Sequence, residues 1–575
     1  MSICSETKWL ARRVAFVAGI HLADCLLVMV GVGAALMEPL IMKWLIDIAL
    51  PRRSFKLLLL GTATFCVSYL VLAVCHKFAA VLGDLASRRI AIKLRVGLFE
   101  HLSRLCGKVQ GRLSPGDLQQ RLEEDAHSVA EFCGSGLTTG YYVVFGVCFT
   151  LGAIFLLDWH LGLVVVPFVS LFVWVRRRVQ SRLRESSDLI QDMSGARNAF
   201  LEEFLAALTQ VQLLGREMFV ARKFVRLVSK AARQEGRRSL LEFATGLATW
   251  FILILAIGAT IGYGGYRVIF GGLSIGGLVA FYGYSMSIFD PVEQATTMHA
   301  KLIRASASVR RLIEIENLVP SVIDPPEGAV LSKHTPLGLQ FDNVCFTYQI
   351  GKPVLNAINI RFGCGERAVL SGPTGIGKST LSKLAVRLYD VSSGSILIDG
   401  IDVRKIALRS LREVISLVPQ EAVIFNDSIR ENVLYGNPKA TEAEIEEVAS
   451  VVQLDRVLLR LPKGWNETLG PRGVTLSGGE RQLISLARVL LRRSAILILD
   501  EATSALDISC ERDVLQRLGD FMKGRIVVVI THRPSVTTWA DRVLVFGRDC
   551  IVEQAADKTL ILAYEENRVA VRGGI

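Results

Sequence analysis

The sequence predicts a two-part chain: an all-α membrane domain of six helices, then an α/β domain built on a mostly parallel sheet. Three observations carry that reading. Of the 575 residues, 51% are hydrophobic and mean hydropathy is +0.41, with the apolar excess almost entirely before residue 300. In that front part, apolar runs long enough to cross a bilayer alternate with charged stretches. Beyond residue 339 the pattern changes to short apolar runs that lead into a glycine-rich turn, into Asp500–Glu501 or into His532. A chain of this length exceeds one ordinary core, and its halves require different solvents.

The membrane half comes first. A spanning helix needs about 20 largely apolar residues, and six segments qualify, at about 14–49, 55–83, 133–157, 160–182, 243–268 and 274–300. Lys8, Arg12 and Arg13 precede the first of them, as in a signal peptide. The run from Val14 to Met37 is longer than the apolar core of a signal, so it reads as a retained helix. "LDWHLG" at 157–162 is short enough only for a tight hairpin. Arginine clusters at 88–89, 176–178 and 237–238 lie in or beside the long charged segments 84–132 and 183–242. The positive-inside rule puts those segments in the cytoplasm, together with the N-terminus and everything after residue 300.

That distribution also disposes of the net charge of +12. The basic residues sit between spans, so no nucleic-acid partner is expected. The eleven cysteines form no CxxC pair and no zinc-like spacing with histidine. Cys25, Cys66, Cys75 and Cys148 fall in apolar runs and read as small hydrophobes. Pro320, Pro325, Pro326 and Pro336 mark a linker at 317–338. It separates a membrane domain, 1–316, from a second domain, 339–575.

The second half carries the chemistry. In "RAVLSGPTGIGKSTLSKLAVRLYD" a strand at Ala368–Leu370 meets a turn and then a helix with Leu381, Leu384, Ala385 and Leu388 on one face. The turn fits G-x-x-x-x-G-K-[ST] through Gly372, Pro373, Thr374, Gly375, Ile376, Gly377, Lys378 and Ser379. Its backbone N–H groups can wrap phosphates, Lys378 can reach the β and γ oxygens, and the Ser379 hydroxyl can hold Mg²⁺. "SAILILDEATSALD" reads as a doubly buried parallel strand ending on Asp500 and Glu501. One carboxylate there can join a Mg²⁺ shell while the other orients or deprotonates a water. "RIVVVITHRP" ends similarly at His532, on the usual ligand edge of an open α/β sheet.

One stretch is less obvious. In "TLSGGERQLISLAR", Ser477 and Glu480 spell a capping box. Gly478 and Gly479 lie between them, each costing roughly 1 kcal/mol against Ala inside a helix. Phosphate binding at the helix N-terminus accounts for them, because glycine lets backbone N–H groups approach an anion.

Tyr348, "GPTGIGKST", Gln420 in "VPQEAVIF", "LSGGERQ", "ILILDEAT", "SALD" and His532 stand in the order found in ATP-binding cassette domains. Residues 339–560 resemble that family. The front half is similar to its exporter-type membrane domain in "EPLIMKWLIDIAL", "SPGDLQQRLEEDAHSV" and "GGLVAFYGYSMSIFDPVEQ". The resemblance implies an antiparallel β subdomain and a helical subdomain beside the parallel sheet, with ATP and Mg²⁺ as cofactors. Tyr348 would stack on adenine, Gly372 to Thr380 would cradle the phosphates, and Gln420 would touch Mg²⁺ or the attacking water. Asp500 would join the Mg²⁺ shell, Glu501 would be the general base, and His532 would contact the γ-phosphate. Leu476, Ser477, Gly478, Gly479 and Glu480 would serve the nucleotide held by a second half-transporter, with Asp507 across the same interface.

Both Glu501 and "LSGGE" are intact, as a homodimer requires; the competent member of a heterodimer would share the feature. Short coupling helices are expected near 106–116 and 208–216. The resemblance further implies ATP-driven export or flipping of an amphipathic lipid, drug or peptide by alternating access. The setting would be a bacterial inner membrane rich in lipid partners, with the nucleotide-binding domain in the cytoplasm. Import of a metal chelate or siderophore is an alternative within that fold, and an ATP-gated channel or regulatory membrane ATPase is another. Two positions depart from the family pattern: Ile376 replaces a small loop residue, and Pro471 replaces an acidic one in the segment thought to relay motion.

Ionisable residues inside spans are functional candidates. His21 and Asp24 share one face of the first helix, and Asp290 and Glu293 share one face of the sixth, by their spacing of three. They either fix packing through ion pairs or form an acidic patch that favours cationic amphiphiles.

Overall fold

The computed structural model describes residues 3–105, 115–320, 322–332, 337–349, 352–470, 473, 475–547 and 551–554. The chain divides into two compact units, the first formed by Met1–Ser103 and Leu113–Leu318 and the second mainly by Val319–Ile575.

The first unit is helical throughout. Among the described residues, five helices are long and apolar enough to cross a membrane: Lys8–Ala49, Phe55–Arg104, Gly116–Leu157, Trp159–Ala206 and Glu217–Ile269. At 1.5 Å per residue, the 50 residues of Phe55–Arg104 extend about 75 Å, against a hydrocarbon core of about 30 Å. Much of each charged segment between spans is therefore the continuation of a spanning helix past the bilayer. The sixth apolar stretch is two helices end to end, Ile275–Ser287 and Phe289–Glu316, with a turn at Ile288. Pro291 explains the interruption: it has no N–H for the Ser287 carbonyl, and its ring crowds that turn.

Close helix contacts use small residues. A Cβ on Gly83 would lie 2.4 Å from Thr138 Oγ1, and one on Gly134 2.5 Å from the Ser87 backbone nitrogen. The Ser87 hydroxyl in turn accepts the Ser135 N–H at 3.0 Å. In the "LDWHLG" hairpin Asp158 caps the following helix, accepting from His160 N and Leu161 N, and it also accepts from Arg267 at 2.9 Å.

The second unit has two sheets. The strands are β1 (Leu339–Gln349), β2 (Lys352–Phe362), β3 (Arg367–Ser371), β4 (Ser393–Ile398), β5 (Ile401–Asp402), β6 (Ile415–Val418), β7 (Ile496–Asp500), β8 (Ile526–Ile530), β9 (Arg542–Phe546) and β10 (Ile551–Gln554). One sheet has the order β2-β1-β4-β5 and is antiparallel; the other has the order β10-β9-β3-β8-β7-β6. In the second, only the β10–β9 pair is antiparallel. Every residue of β7 and β8 is buried, as expected of parallel strands covered on both faces.

Their side chains alternate between two cores. Leu497, Leu499, Val527 and Val529 face a cluster with the helices Glu442–Val451, Gly478–Leu490 and Ile508–Phe521. Ile496, Ile498, Val528 and Ile530 face a cluster with the antiparallel sheet and the helix Lys378–Ala385. The predicted fold class, a helical domain followed by an α/β domain with parallel and antiparallel sheets, is the fold observed. Part of the proline-rich segment packs onto this unit: Asp324 accepts the Leu408 N–H, and Ala329 bridges to Ile406.

Candidate functional site

Four adjacent parallel strands, β3, β8, β7 and β6, end on one edge of the larger sheet, and the candidate residues leave from those ends. The turn after β3 is made of Gly372 to Gly377. Gly372 (φ 143°) and Gly377 (φ 109°) hold left-handed backbone, and a Cβ on Gly372 would meet the Phe546 carbonyl oxygen at 2.7 Å. Only glycine fits there. Ile376 is half-buried against the core beneath the antiparallel sheet, which leaves the backbone of the turn free.

Lys378 opens the next helix and donates back to the Gly372 and Pro373 carbonyls at 2.7 and 2.8 Å. Burial lowers its pKa, opposed by Glu501 and Asp500. Asp500, at the end of β7, accepts from Ser379 Oγ at 2.9 Å and from Ser382 Oγ at 3.2 Å. Burial raises the Asp500 carboxyl, against the pull of those two hydroxyls.

Glu501 follows with a φ of 50°, a costly conformation for a non-glycine residue. Its N–H donates to the Ile530 carbonyl at 2.9 Å, and its own carbonyl accepts from Ser504 N at 3.1 Å. This kink sets the carboxylate between two neighbours. Gln420 Nε2 donates to Oε2 at 2.7 Å, and His532 Nδ1 stands 3.5 Å from Oε1. These residues line one cavity of about 860 Å³ with the Gly372–Gly375 turn, Gly377, Ser379, Thr380 and Tyr348. Tyr348 is half exposed, with its hydroxyl 3.3 Å from Thr380 Oγ1.

Among the described residues, none of Leu476–Glu480 lines that cavity. Ser477 caps the helix Gly478–Leu490 in a complete capping box with Glu480, and Glu480 is also paired with Arg460. The two glycines differ. A Cβ on Gly479 would lie 3.0 Å from the Ala505 carbonyl oxygen, whereas one on Gly478 would make ordinary contact at 3.5 Å. Packing within the chain is thus tight at Gly479 and open at Gly478. Asp507 is exposed and caps the helix Ile508–Phe521; a hydrogen bond from Ser509 holds its carboxyl below the usual range.

Three residues that the motifs did not single out hold the segment after Glu501. Gln482 donates to Ser504 Oγ and accepts from Ala505 N at 2.8 Å. Arg533 donates to the Ser504 and Leu506 carbonyls at 2.5 and 2.9 Å and pairs with Glu511, which is 1% exposed. The sequence signal was faint: Gln482 closes the "LSGGERQ" stretch and Arg533 follows His532. A polar residue missed in the phosphate turn is Ser382, one helical step beyond Ser379.

The four membrane candidates have separate surroundings. His21 is buried with neither ring nitrogen partnered, and the fully buried Asp24 accepts from Thr138 Oγ1 at 2.6 Å. Asp290 accepts from Tyr142 OH at 2.8 Å, while Glu293 is paired with Arg176 at 2.5 Å. Of the expected coupling segments, 106–114 lies outside the described residues, as does Pro471. Within 208–216 there is a short helix, Leu208–Leu213, whose end exposes Leu213 and Leu214.

A phosphate-binding turn on a parallel sheet, in a chain that also holds membrane-length helices, defines a membrane-bound P-loop protein. Comparison with known proteins narrows the class. The profile described as ABC transporter transmembrane region matches residues 22–292, and that described as ABC transporter matches 355–504. The chain is 32% identical over 515 residues to the ATP-dependent lipid A-core flippase of Syntrophus aciditrophicus, covering 90% of this chain and 85% of that one. With the protein of that name from Desulfotalea psychrophila it shares 31% over 494 residues, covering 84% of each. The fold matches a bacterial Atm1-family ABC exporter with ATP bound at a TM-score of 0.80, 24% identity, and 98% and 99% coverage of the two chains.

The chain belongs to the ABC transporter family. It is a multi-pass membrane protein with its ATPase fused on the same chain, and it couples ATP hydrolysis to movement of a substance across a membrane.

Proposed function

We propose that this chain is one half of an ATP-driven exporter or flippase that works as a homodimer. Two nucleotides would be enclosed between copies, and closure would turn the membrane helices from inward-open to outward-open. The observation that carries the catalytic part is the seating of Glu501 between Gln420 and His532, beside Lys378 and Asp500. A carboxylate in that position can accept a proton from a water attacking the γ-phosphate, oriented by Gln420.

The donor set fits the expected metal. The Ser379 hydroxyl, the Asp500 carboxylate and the Gln420 amide oxygen are hard oxygen ligands of the kind Mg²⁺ takes alongside phosphates. Bound there, the ion would neutralise phosphate charge; Ser379 and Ser382 hold Asp500 in place for it. Tyr348, on the cavity wall, supplies a ring for adenine.

The helix opened by Gly478 would serve the partner's nucleotide. Its exclusion from the chain's own cavity supports this, as does the absence of any internal packing reason for Gly478. The substrate class is an amphipathic molecule, in keeping with relatives named as lipid flippases, and the setting is a bacterial inner membrane. The decisive experiment is ATP-dependent movement of labelled lipids, drugs and peptides in proteoliposomes of defined sidedness. Movement toward the face opposite the ATPase, abolished in Glu501→Gln, is the expected result. Movement toward the ATPase face, or a conductance without uphill transport, overturns it.

A further inference from the structure

A cavity of about 280 Å³ lies among the first, second and third spans, with Gln294 of the last helix also on its wall. Asp84, His76, Ser135, Thr138, Thr139 and Tyr142 supply the rest of its polar lining, and Val28 and Leu72 part of its apolar wall. Three carboxylates surround it. Asp84 is on the wall itself. Asp290 is joined to the wall through Tyr142 OH at 2.8 Å and Gln294 Nε2 at 3.1 Å. Asp24 is joined through Thr138 Oγ1 at 2.6 Å, and its other carboxylate oxygen is buried without a partner.

Among the described residues, no lysine or arginine lines this wall. Among the described residues, none of the three carboxylates has a hydrogen-bonded Lys or Arg partner; Thr138 donates to Asp24, and Tyr142 and Gln294 donate to Asp290. The neighbouring acid behaves differently: Glu293 is held by Arg176. A second cavity, of about 750 Å³, carries Arg177 and His299 on its wall. The two acids of the last helix, three residues apart, thus have different partners: Tyr142 and Gln294 for Asp290, and Arg176 for Glu293.

We propose that the smaller cavity binds the ammonium head of a cationic amphiphile. Carboxylates without a cationic partner attract a positive charge, most strongly at the buried Asp24 and less at the exposed Asp84 and Asp290, and the Tyr142 ring adds a cation–π surface. The volume falls just below the ~300–1,000 Å³ of pockets for drug-sized ligands, so it takes a headgroup rather than a whole amphiphile. Its apolar wall suits an alkylammonium better than a bare divalent ion, which takes about six or more oxygen ligands. As a substrate site this rests on the transport reading above, but binding itself needs no nucleotide.

The test is calorimetric binding of octyltrimethylammonium to the full chain in lipid nanodiscs, corrected for partitioning into empty discs. Octyl sulfonate and octyl glucoside are the anionic and neutral controls. Saturable binding of the cation alone is expected, weakened about tenfold or more in Asp84→Asn and Asp290→Asn. Asp84→Glu should restore it, and Glu293→Gln should leave it unchanged. Equal binding of all three amphiphiles, or cation binding indifferent to Asp84→Asn and Asp290→Asn, overturns the proposal. ATP hydrolysis measured on the same samples separates the two readings. Protein that hydrolyses ATP without binding the cation sinks this inference alone, and protein that binds the cation without ATPase activity sinks the transport reading alone.

Discussion

The Gln420 side chain donates to the Glu501 carboxylate at 2.7 Å, tying the end of β6 to the end of β7 across 81 residues of sequence. A change in the position of Gln420 must therefore be felt by the group best placed to accept a proton from water. Glu501→Gln should bind ATP normally and hydrolyse it slower by on the order of 10²–10⁴, the usual worth of a general base. Phosphate release and nucleotide binding measured side by side check this, and ordinary turnover in the variant would end the assignment.

Asp500 pays for its position in stability. Burial raises its folded-state pKa, so its favourable contribution is present below the normal carboxylate range and is lost as pH rises through the raised value. Ionising Asp500 as pH rises means holding a charge in a buried site. Asp500→Asn keeps an acceptor for Ser379 and Ser382 while removing that charge. Without nucleotide, the variant should unfold at a higher temperature, a gain on the order of 1 kcal/mol, and this gain should shrink on acidification. Its Mg²⁺-dependent ATPase should be lost. A melting temperature below that of the parent protein at pH 7 contradicts the argument.

The two glycines of the 478–490 helix separate fold from function. Gly479→Ala pushes a methyl to within 3.0 Å of the Ala505 carbonyl oxygen, so it should lower stability by about 1–3 kcal/mol, as overpacking does. Gly478→Asp has room, yet it sets a carboxylate where the partner's phosphate is proposed to lie. It should melt like the parent and bind ATP, but fail to form a nucleotide-closed dimer or to hydrolyse ATP. Crosslinking across the dimer and thermal melts of both variants are the measurements. Hydrolysis at parental rate by Gly478→Asp removes the intersubunit role.

Half-buried Arg533 pairs with the buried Glu511 beside the Ser504–Asp507 segment. Arg533→Ala leaves Glu511 without its cationic partner, although Thr503 and Ser535 still donate to it. The cost should be about 3 kcal/mol, read in denaturant unfolding. Gln482→Ala, which frees Ala505 N and Ser504, should slow hydrolysis more than it weakens ATP binding. Equal loss of both would show that Gln482 supports the nucleotide site as a whole and not the segment after Glu501.

Much of the architecture was legible because it is written in short-range patterns. Apolar runs of membrane length, the continuous apolar run Ile496–Leu499, and the glycines at 372 and 377 each report a local backbone requirement. The capping box at Ser477 and Glu480 formed as its spacing predicts. The Phe55–Arg104 helix was less legible: its apolar stretch ends near residue 83, but backbone hydrogen bonding continues with charged side chains in water. The break at Ile288 follows from Pro291, which the sequence displays without saying whether the helix would bend or stop.

The sequence by itself determined the class of protein, because a phosphate turn, a strand-end carboxylate pair and membrane spans are all contiguous in the chain. Tertiary structure alone decided who touches whom. Arg176 meets Glu293 across 117 residues, while Asp290, three positions earlier, turns to Tyr142. Spacing places the two acids on one helix face, but only the packing of neighbouring helices sets which of them meets an arginine and which a tyrosine. One carboxylate is consequently paired with an arginine, and the other stays beside a cavity on whose wall, among the described residues, no Lys or Arg stands.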